Sequence, residues 1–309
     1  MDLNLVRVLV AVYEARSVTI AAERLHVTAP AISQSLARLR RELDDQLFKR
    51  SGRGVTPTPL AEAIFPRLQA SLADIDNTFD AVNGFDPATS ERTFRIAMSE
   101  LGEVGWLPEI FTIFHRDAPR ARLEVVHLDT SRLSEWLQVG AIDLAITPVD
   151  PRIAAERVLV KHQMYCIVMS DLNELARRQV TTDLYLAARR VHVESDSGAV
   201  LLDAAHHQLG PITAPTVSVQ HFATLPPLLS RSSELIAAIP ETIAEAWTHR
   251  WPLVTRPVPF TMTPIALNLY KRHTTHHAGA LDWFYSVVRQ TVRNSTGEFA
   301  VMQGPQPRR

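Results

Sequence analysis

The residues best equipped for chemistry in this 309-residue chain fall into three groups, and the richest lies between Thr28 and Arg53. There six basic residues (Arg38, Arg40, Arg41, Lys49, Arg50 and Arg53) stand against three acidic ones (Glu42, Asp44 and Asp45), while the whole chain has a net charge of only −1. A local basic surface on a nearly neutral chain suits a module that meets a polyanion and is attached to something else. Within the same stretch, Ser33 and Gln34 carry the donors and acceptors that read base edges in a major groove. The second group is histidine: His273, His276 and His277 fall close together, as do His206 and His207. Helical spacing would put His273 and His277 on one face, as zinc ligands require, but no cysteine or carboxylate cluster completes the set. Surface histidines are therefore the expectation, and a metal-responsive protein the alternative. The third group is the single cysteine, Cys166. It sits in the apolar stretch Tyr165-Cys-Ile-Val-Met and reads as a buried core thiol rather than a nucleophile. Neither a glycine-rich phosphate loop nor a nucleophile elbow is present, so no enzyme is expected and no cofactor is called for.

Positioning the first group falls to short helices. Leu5, Val8, Leu9 and Val12 repeat at helical spacing and predict a helix from about Leu3 to Ala15. Ser17 or Thr19 can cap a second, with Ala21, Ala22 and Leu25 inward, before His26 and Val27 break it. Thr28 then stands as an N-cap with Pro30 in the first turn, where its missing N–H costs nothing. The third helix, about Ala29 to Arg40, puts Ile32, Leu36 and Leu39 inward and Ser33, Gln34, Ser35 and Arg38 outward. Two short helices joined by a tight turn, the second polar and basic on its free face, form the helix-turn-helix pattern. After Leu43, Leu47 and Phe48, the run Lys49-Arg50-Ser51-Gly52-Arg53-Gly54 has the size of a hairpin wing, with Arg53 at its tip for a minor groove. On this reading Thr28, Pro30, Ser33, Gln34, Arg38, Lys49, Arg50 and Arg53 face double-stranded DNA. Ser33 and Gln34 read bases, while Arg38, Lys49 and Arg50 hold phosphates.

Thr58 and Pro59 open a longer helix in which Leu60, Ile64, Leu68, Leu72, Ile75 and Phe79 step by three or four residues to about Val82. One helix cannot bury such a stripe alone, so it reads as a dimerisation helix, with packing on its own domain as the alternative. Pro66 is expected to kink it. Asn83 to Glu91, with Gly84, Pro87 and Ser90, reads as a hinge. From Arg92 short apolar strands alternate with helices. Strands are predicted at Thr93–Met98, Ala121–His127 and Asp143–Thr147, with helices at Glu103–Arg116 and Ser131–Val139 between them. Further strands fall near Tyr165–Met169, Val191–Glu194, Thr216–Val219 and Leu235–Ile239. The chain returns through Ile265–Lys271 to a helix from about Ala278 to Arg293.

Two open α/β halves place a ligand cleft at the carboxyl ends of their strands. The expected lining is Ser99, Glu100, Leu101, Thr130, Thr147 and Pro148 from one half and Glu194, Ser195, His221 and Phe222 from the other. Hydroxyls and helix starts favour an anionic or polar group on the ligand, and plain helix capping competes as the role of each such residue. The domains are thus an α-helical winged helix-turn-helix (1–58), a linker helix and hinge (59–91), a two-subdomain α/β ligand domain (92–293) and a disordered tail (294–309).

Hydrophobic residues make up 46% and charged residues 21%, ordinary for a globular chain. No apolar stretch approaches the ~20 residues needed to span a bilayer. Asp2 stands where a signal peptide would be basic, and Asn4, Arg7 and Glu14 interrupt the run that follows, so neither export nor a membrane is expected. One cysteine permits no intrachain disulfide and suits a reducing cytoplasm. An exported solute-binding protein would also lack the first sixty residues.

The stretch Ser17-Val-Thr-Ile-Ala-Ala-Glu-Arg-Leu-His-Val-Thr-Ala-Pro-Ala-Ile-Ser-Gln-Ser-Leu-Ala-Arg-Leu-Arg, with Leu47-Phe-Lys-Arg-Ser-Gly-Arg-Gly and Thr56-Pro-Thr, resembles the DNA-binding end of the LysR-type transcription regulators. Ala29 stands where that family often carries Gln. Phe85-Asp-Pro-Ala-Thr-Ser-Glu-Arg-Thr-Phe-Arg-Ile-Ala-Met-Ser, Gly140-Ala-Ile-Asp-Leu-Ala-Ile and Ser233-Glu-Leu-Ile-Ala-Ala-Ile-Pro-Glu resemble the effector domain of one branch, whose members answer to flavonoids, salicylate and nitroaromatics. The resemblance runs from about Met1 to Arg293. It implies a periplasmic-binding-protein-like sensor domain, a homodimer or homotetramer, an operator with dyad symmetry, a small-molecule effector and RNA polymerase as a further partner. It also implies an aromatic acid as effector, although Arg190 stands where aromatic-acid sensors tend to have His.

Overall fold

The computed structural model describes residues 2–52, 54–153, 155–210, 213–273 and 279–294. Arg53, His276, His277 and residues 295–309 of the expected tail lie outside the described residues. The chain forms two compact units. One is built around the N-terminal helices and includes residues 134–143 and 272–281; the other holds two β-sheets.

In the first unit α1 (Leu3–Ala15), α2 (Val18–Arg24) and α3 (Ala29–Leu43) each begin on a side chain that accepts a backbone N–H, from Asp2, Ser17 and Thr28 respectively. Each such cap satisfies one of the orphan donors at a helix start. Their inward faces form one core that includes Leu5, Leu9, Val12, Ala21, Ala22, Ile32, Leu36 and Leu39. Helix α3 runs past Arg40 because Leu43 continues the apolar stripe, and it stops where Asp44 turns to φ +50°.

The strands β1 (Phe48–Ser51) and β2 (Gly54–Pro57) then pair antiparallel, with Ser51 opposite Gly54. Glycine is required at position 54, since a Cβ there would lie 2.5 Å from the Arg16 carbonyl oxygen. That carbonyl accepts the Val55 N–H at 2.9 Å and ties the hairpin to the end of α1. The hairpin's base is held by Asp45, whose carboxylate accepts the Leu47 N–H and the Thr58 hydroxyl. These bonds, that from Thr58 foremost, hold the Asp45 pKa below the usual carboxylate value.

Thr58 caps α4 (Pro59–Asn83), which continues through Pro66. Leu60, Ile64 and Leu68 pack on the N-terminal core, and Phe65 stacks on Tyr13 with centroids 3.7 Å apart. Half of the long apolar stripe therefore has cover within its own domain, the alternative weighed above. Leu72 and Ile75 are half-buried and Phe79 is exposed.

After α4 come β3 (Thr93–Met98), α5 (Glu100–Asp117), β4 (Arg122–His127), α6 (Leu133–Gln138), β5 (Leu144–Thr147), β6 (Glu156–Gln163) and β7 (Tyr165–Ser170). Next are α7 (Thr182–Ala187), β8 (Arg189–Val193), α8 (Ala199–His207), β9 (Val217–Val219), α9 (Leu225–Leu229) and β10 (Leu235–Pro240). The described residues end with α10 (Glu241–Thr248), β11 (Leu253–Pro257), β12 (Ile265–Lys271) and α11 (Gly279–Asn294). One sheet has the order β4-β3-β5-β12-β6 and the other β11-β7-β10-β8-β9. In the first, β3 runs parallel to β4 and β5, while β12 joins β5 and β6 antiparallel and so brings the late chain back to the first half. Strands β5 and β7 are buried along their whole length, which is why they read as unbroken apolar runs.

Candidate nucleic-acid interface and ligand cleft

The outward face of α3 begins at Thr28, whose Oγ1 accepts the Ala31 N–H at 3.4 Å, with Pro30 in the first turn. Thr28, Pro30, Ser33 and Gln34 are all exposed. The Ser33 hydroxyl donates to the Ala29 carbonyl at 3.0 Å, which leaves its lone pairs for an outside donor. Gln34 has no such bond among the described residues and presents its whole amide. Arg38 departs from expectation: its Nε donates to Glu42 at 3.0 Å, and its Nη1 lies 3.9 Å from the Asp2 carboxylate. A guanidinium flanked by its own acids offers a phosphate less net attraction, so Arg38 is a weaker candidate than its type and position suggested. Lys49 and Arg50 are exposed neighbours on β1, opposite Thr56 and Val55. Successive strand side chains point to opposite faces, so the two cations face different directions.

In the second unit the ends of the strands border a narrow cleft lined by Ser99, Leu101, Gly102, Gly105, Trp106, Ile146, Pro148, Lys161, Gln163, Tyr165, Asp196, Ser197, Gly198, Pro240, Thr242, Ile265 and Leu267. Only about 40 Å³ of it is open to the centre of a water molecule, against ~300–1,000 Å³ for an ordinary ligand pocket. A ligand of a dozen heavy atoms therefore needs this cleft to open.

Of the ten residues expected there, Ser99, Leu101 and Pro148 line it, and the other seven sit elsewhere for identifiable reasons. Glu100 turns its carboxylate to the backbone N–H groups of Phe222 and Ala223, at 2.9 and 3.1 Å. His221, exposed, stands 3.6 Å from the same carboxylate. Phe222 is buried in a core with Val168, Val191 and Ile239, where its ring removes more apolar surface from water than a cleft would allow. Thr147 is buried, and its hydroxyl accepts the Val149 N–H at 3.0 Å. Glu194 is exposed with His192 at 3.8 Å, Thr130 lies exposed in a turn, and the Ser195 hydroxyl is buried with no hydrogen-bond partner.

The side chains that give the cleft its chemistry are ones the sequence reading left out. The Tyr165 hydroxyl donates to the Asp196 carboxylate, with 2.8 and 2.6 Å to its two oxygens, and Asp196 Oδ1 also accepts the Gly198 N–H at 2.8 Å. Burial raises the Asp196 pKa above the ordinary carboxylate value and pushes Tyr165 well up. Gly198 has to be glycine, because a Cβ would lie 2.4 Å from the Tyr165 hydroxyl. The Lys161 ammonium lies 5.8 Å from the centre of the Trp106 ring, and no carboxylate pairs with it among the described residues. Burial pulls its pKa down. Thr242 Oγ1 is buried and makes no hydrogen bond. Helices α5, α8 and α10 start at the cleft with Ser99, Gly198 and Pro240 as N-caps, and none has a side-chain capping bond. The positive ends of three helix dipoles and an ammonium without an ion-pair partner among the described residues converge on one space beside the Asp196 carboxylate, an arrangement that can draw an anion.

The remaining chemistry-bearing residues stay apart from this cleft. Cys166 is buried, and desolvation pushes its thiol pKa up to about 12. His273 is exposed, and His206 Nε2 lies 2.8 Å from the Tyr185 hydroxyl. Among the described residues no group of three or more His, Cys, Asp or Glu is placed to hold a metal ion, and no helix is long and apolar enough to cross a membrane.

Residues 3–62 match the family model described as bacterial regulatory helix-turn-helix protein, lysR family, and residues 87–293 match the LysR substrate binding domain. The chain is 30% identical over 281 residues to the HTH-type transcriptional activator NahR of Pseudomonas putida, covering 90% of this chain and 92% of that protein. It is 29% identical over 308 residues to nodulation protein D 1 of Mesorhizobium japonicum, covering 96% and 95%. Its fold is similar to that of a probable transcriptional regulator from Pseudomonas aeruginosa, with a TM-score of 0.72 and 28% identity over 94% of this chain and 97% of that one.

Proposed function

The chain belongs to the LysR family of bacterial helix-turn-helix regulators, and from that premise we propose that it is a cytoplasmic transcription regulator whose cleft takes a small organic anion. As a family member it binds operator DNA through its N-terminal domain and carries an effector-binding domain. Dimers would place the two α3 helices in successive major grooves about one helical turn apart, with Gln34 and Ser33 toward base edges and Lys49, Arg50 and Arg53 toward the backbone and minor groove. Leu72, Ile75 and Phe79, the part of α4 less covered by its own domain, serve self-association in this reading. Relatives named activators support activation as the output, and contact with RNA polymerase would be its route in this reading.

The observation that carries the ligand class is Lys161, a partly desolvated ammonium with no ion-pair partner among the described residues, next to the Trp106 ring. An unpaired charge held away from water is costly until a counter-charge arrives, and an aromatic acid supplies both the carboxylate and a ring for Trp106. Opening and reclosing the cleft around that acid shifts the regulator only if the acid binds the two arrangements with different affinity. The test is calorimetric titration of the full chain with benzoate, phenylacetate, hexanoate and the neutral benzamide. Acids should bind in preference to the amide, and Lys161→Met should weaken them roughly 10–100-fold, the worth of a charge-assisted hydrogen bond. Because the ammonium is charged only below its lowered pKa, affinity should hold at neutral pH, where the acids are ionised, and fall as pH rises through that value. Equal binding of benzamide and benzoate, or indifference to Lys161→Met, would refute the assignment.

A further inference from the structure

Beside β11, the edge strand of the second sheet, an open groove runs between residues 177–180 and 256–259, with about 440 Å³ reachable by water. Its lining is Arg177, Arg178, Gln179, Val180, Arg256, Pro257, Val258 and Pro259. Three guanidinium groups from two separate chain segments meet there, and no carboxylate lines the groove. None of the three arginines has an ion-pair partner among the described residues. The groove is also fixed in shape. Arg256 donates to the carbonyls of Thr255 and Ala176, and the Thr182 hydroxyl donates to the Pro259 carbonyl at 2.8 Å, so hydrogen bonds tie one wall to the other. With two of its five N–H donors committed to backbone carbonyls, the Arg256 fork is oriented while still offering donors outward.

We propose that this groove is a second ligand site, separate from the effector cleft, for a small polyanion carrying a phosphate, a pyrophosphate or clustered carboxylates. Three converging guanidiniums suit a dianionic or trianionic group, which arginine grips bidentately. Val180 and Val258 give the rest of the ligand an apolar bed, and the space falls within the range of small-molecule sites. An extended peptide fits less well. Recognition by strand addition needs free backbone N–H groups, and Pro257 and Pro259 remove two of them at the outer strand β11 and just beyond it.

The site is tested on the full chain by calorimetry with inorganic pyrophosphate and citrate at ~0.15 M ionic strength, where loose surface attraction is screened. Saturable binding of one equivalent is expected, weakened at least tenfold by Arg256→Gln and by Arg178→Gln and unchanged by Lys161→Met. The tighter of the two probes identifies the headgroup. Arg178 is exposed, so its variant keeps the measurement meaningful if Arg256→Gln disturbs folding; Arg256→Lys should also lose affinity, because it keeps the charge but not the fork. Failure of both probes to bind at millimolar concentration, or equal affinity in the arginine variants, overturns the proposal. Binding lost only in Lys161→Met overturns it too, since the anion would then sit in the effector cleft. A glutamate-rich peptide that binds where neither small anion does would make the groove a protein-docking surface instead.

Discussion

Replacing Asp143 with alanine should destabilise the protein far more than replacing Asp74, although both carboxylates hold the same guanidinium. Arg272 is the shared partner: its Nε donates to Asp143 Oδ1 at 3.3 Å and its Nη1 to Asp74 Oδ1 at 3.0 Å. The side chains of Arg272 and Asp143 are only 4% and 8% exposed, whereas that of Asp74, on α4, is 62% exposed. Arg272 Nη2 is already buried without a hydrogen-bond partner. Asp143→Ala leaves a buried cation facing one solvent-screened carboxylate, and breaking a buried pair costs about 3–5 kcal/mol. Asp74→Ala removes an exposed partner, whose loss costs under about 1 kcal/mol. Arg272→Met should also be costly, because Asp143 then loses its ion pair with a buried guanidinium. The double variant should cost less than the sum of the two singles, with a coupling of about 1–3 kcal/mol, since no charge is then left buried alone. Urea unfolding followed by far-ultraviolet circular dichroism supplies all four values. Similar losses for Asp143→Ala and Asp74→Ala, or additive singles, would show that water reaches Arg272 and that burial does not govern the pair.

Other substitutions test the DNA face and the packing around it. Gln34→Ala should relax discrimination between an operator and a scrambled duplex, whereas Arg50→Ala should weaken both alike and lower the salt slope by about one; anisotropy titrations at several salt concentrations separate the two. Cys166, with its thiol pKa held near 12, should give no reaction with a thiol reagent at pH 8 in the native protein and one equivalent after denaturation. Gly54→Ala should destabilise the N-terminal unit by about 1–3 kcal/mol in thermal unfolding, because the new Cβ meets the Arg16 carbonyl oxygen at 2.5 Å and backbone must move.

The N-terminal unit was legible because several independent signals coincide there. Apolar spacing at Leu5, Val8, Leu9 and Val12, caps at Ser17, Thr28 and Thr58, and the glycines around Arg53 all agree on the same elements. Strand β3 is equally plain, with the bounds expected of it, and β12 spans the segment Ile265–Lys271 through which the chain returns. The cleft was harder because its chemistry comes from strands that do not look like site elements. Strand β6 is mostly polar and was passed over, yet Lys161 and Gln163 sit on it. Their spacing of two is the strand period and was the available signal. Tyr165 was read only as a member of an apolar strand, and nothing local to the sequence says that its hydroxyl meets Asp196, 31 residues away. Position at a strand end brings Ser99 and Pro148 to the lining of the cleft but not Phe222, because it does not say which way a side chain turns. Hydrophobic burial decided that, and it drew the ring into the core.

The distribution of helix caps relates the two units to their separate tasks. Helices α1 to α4 each start on a side chain that accepts a backbone N–H, from Asp2, Ser17, Thr28 and Thr58. A cap of this kind is worth about 1 kcal/mol, and it fixes where a helix begins. A DNA-reading helix gains from a start that does not fray, since its register sets which side chains reach the bases. Helices α5, α8 and α10 leave that stabilisation unused at the cleft, although Ser99 stands at the N-cap of α5 with a hydroxyl that could make the bond. At α8 and α10 the first helical N–H already donates to a backbone carbonyl, Ala199 to Asp196 at 3.1 Å and Glu241 to Met164 at 3.0 Å, so the start of α5 is the one open to whatever enters the cleft. On the proposed reading, an anion that accepts there would draw that helix start, Thr242 and Lys161 toward a common centre, and these come from both sheets. The stabilisation withheld from α5 would then be returned only when the cleft is occupied, and such a difference would let a small ligand choose between two arrangements of the domain.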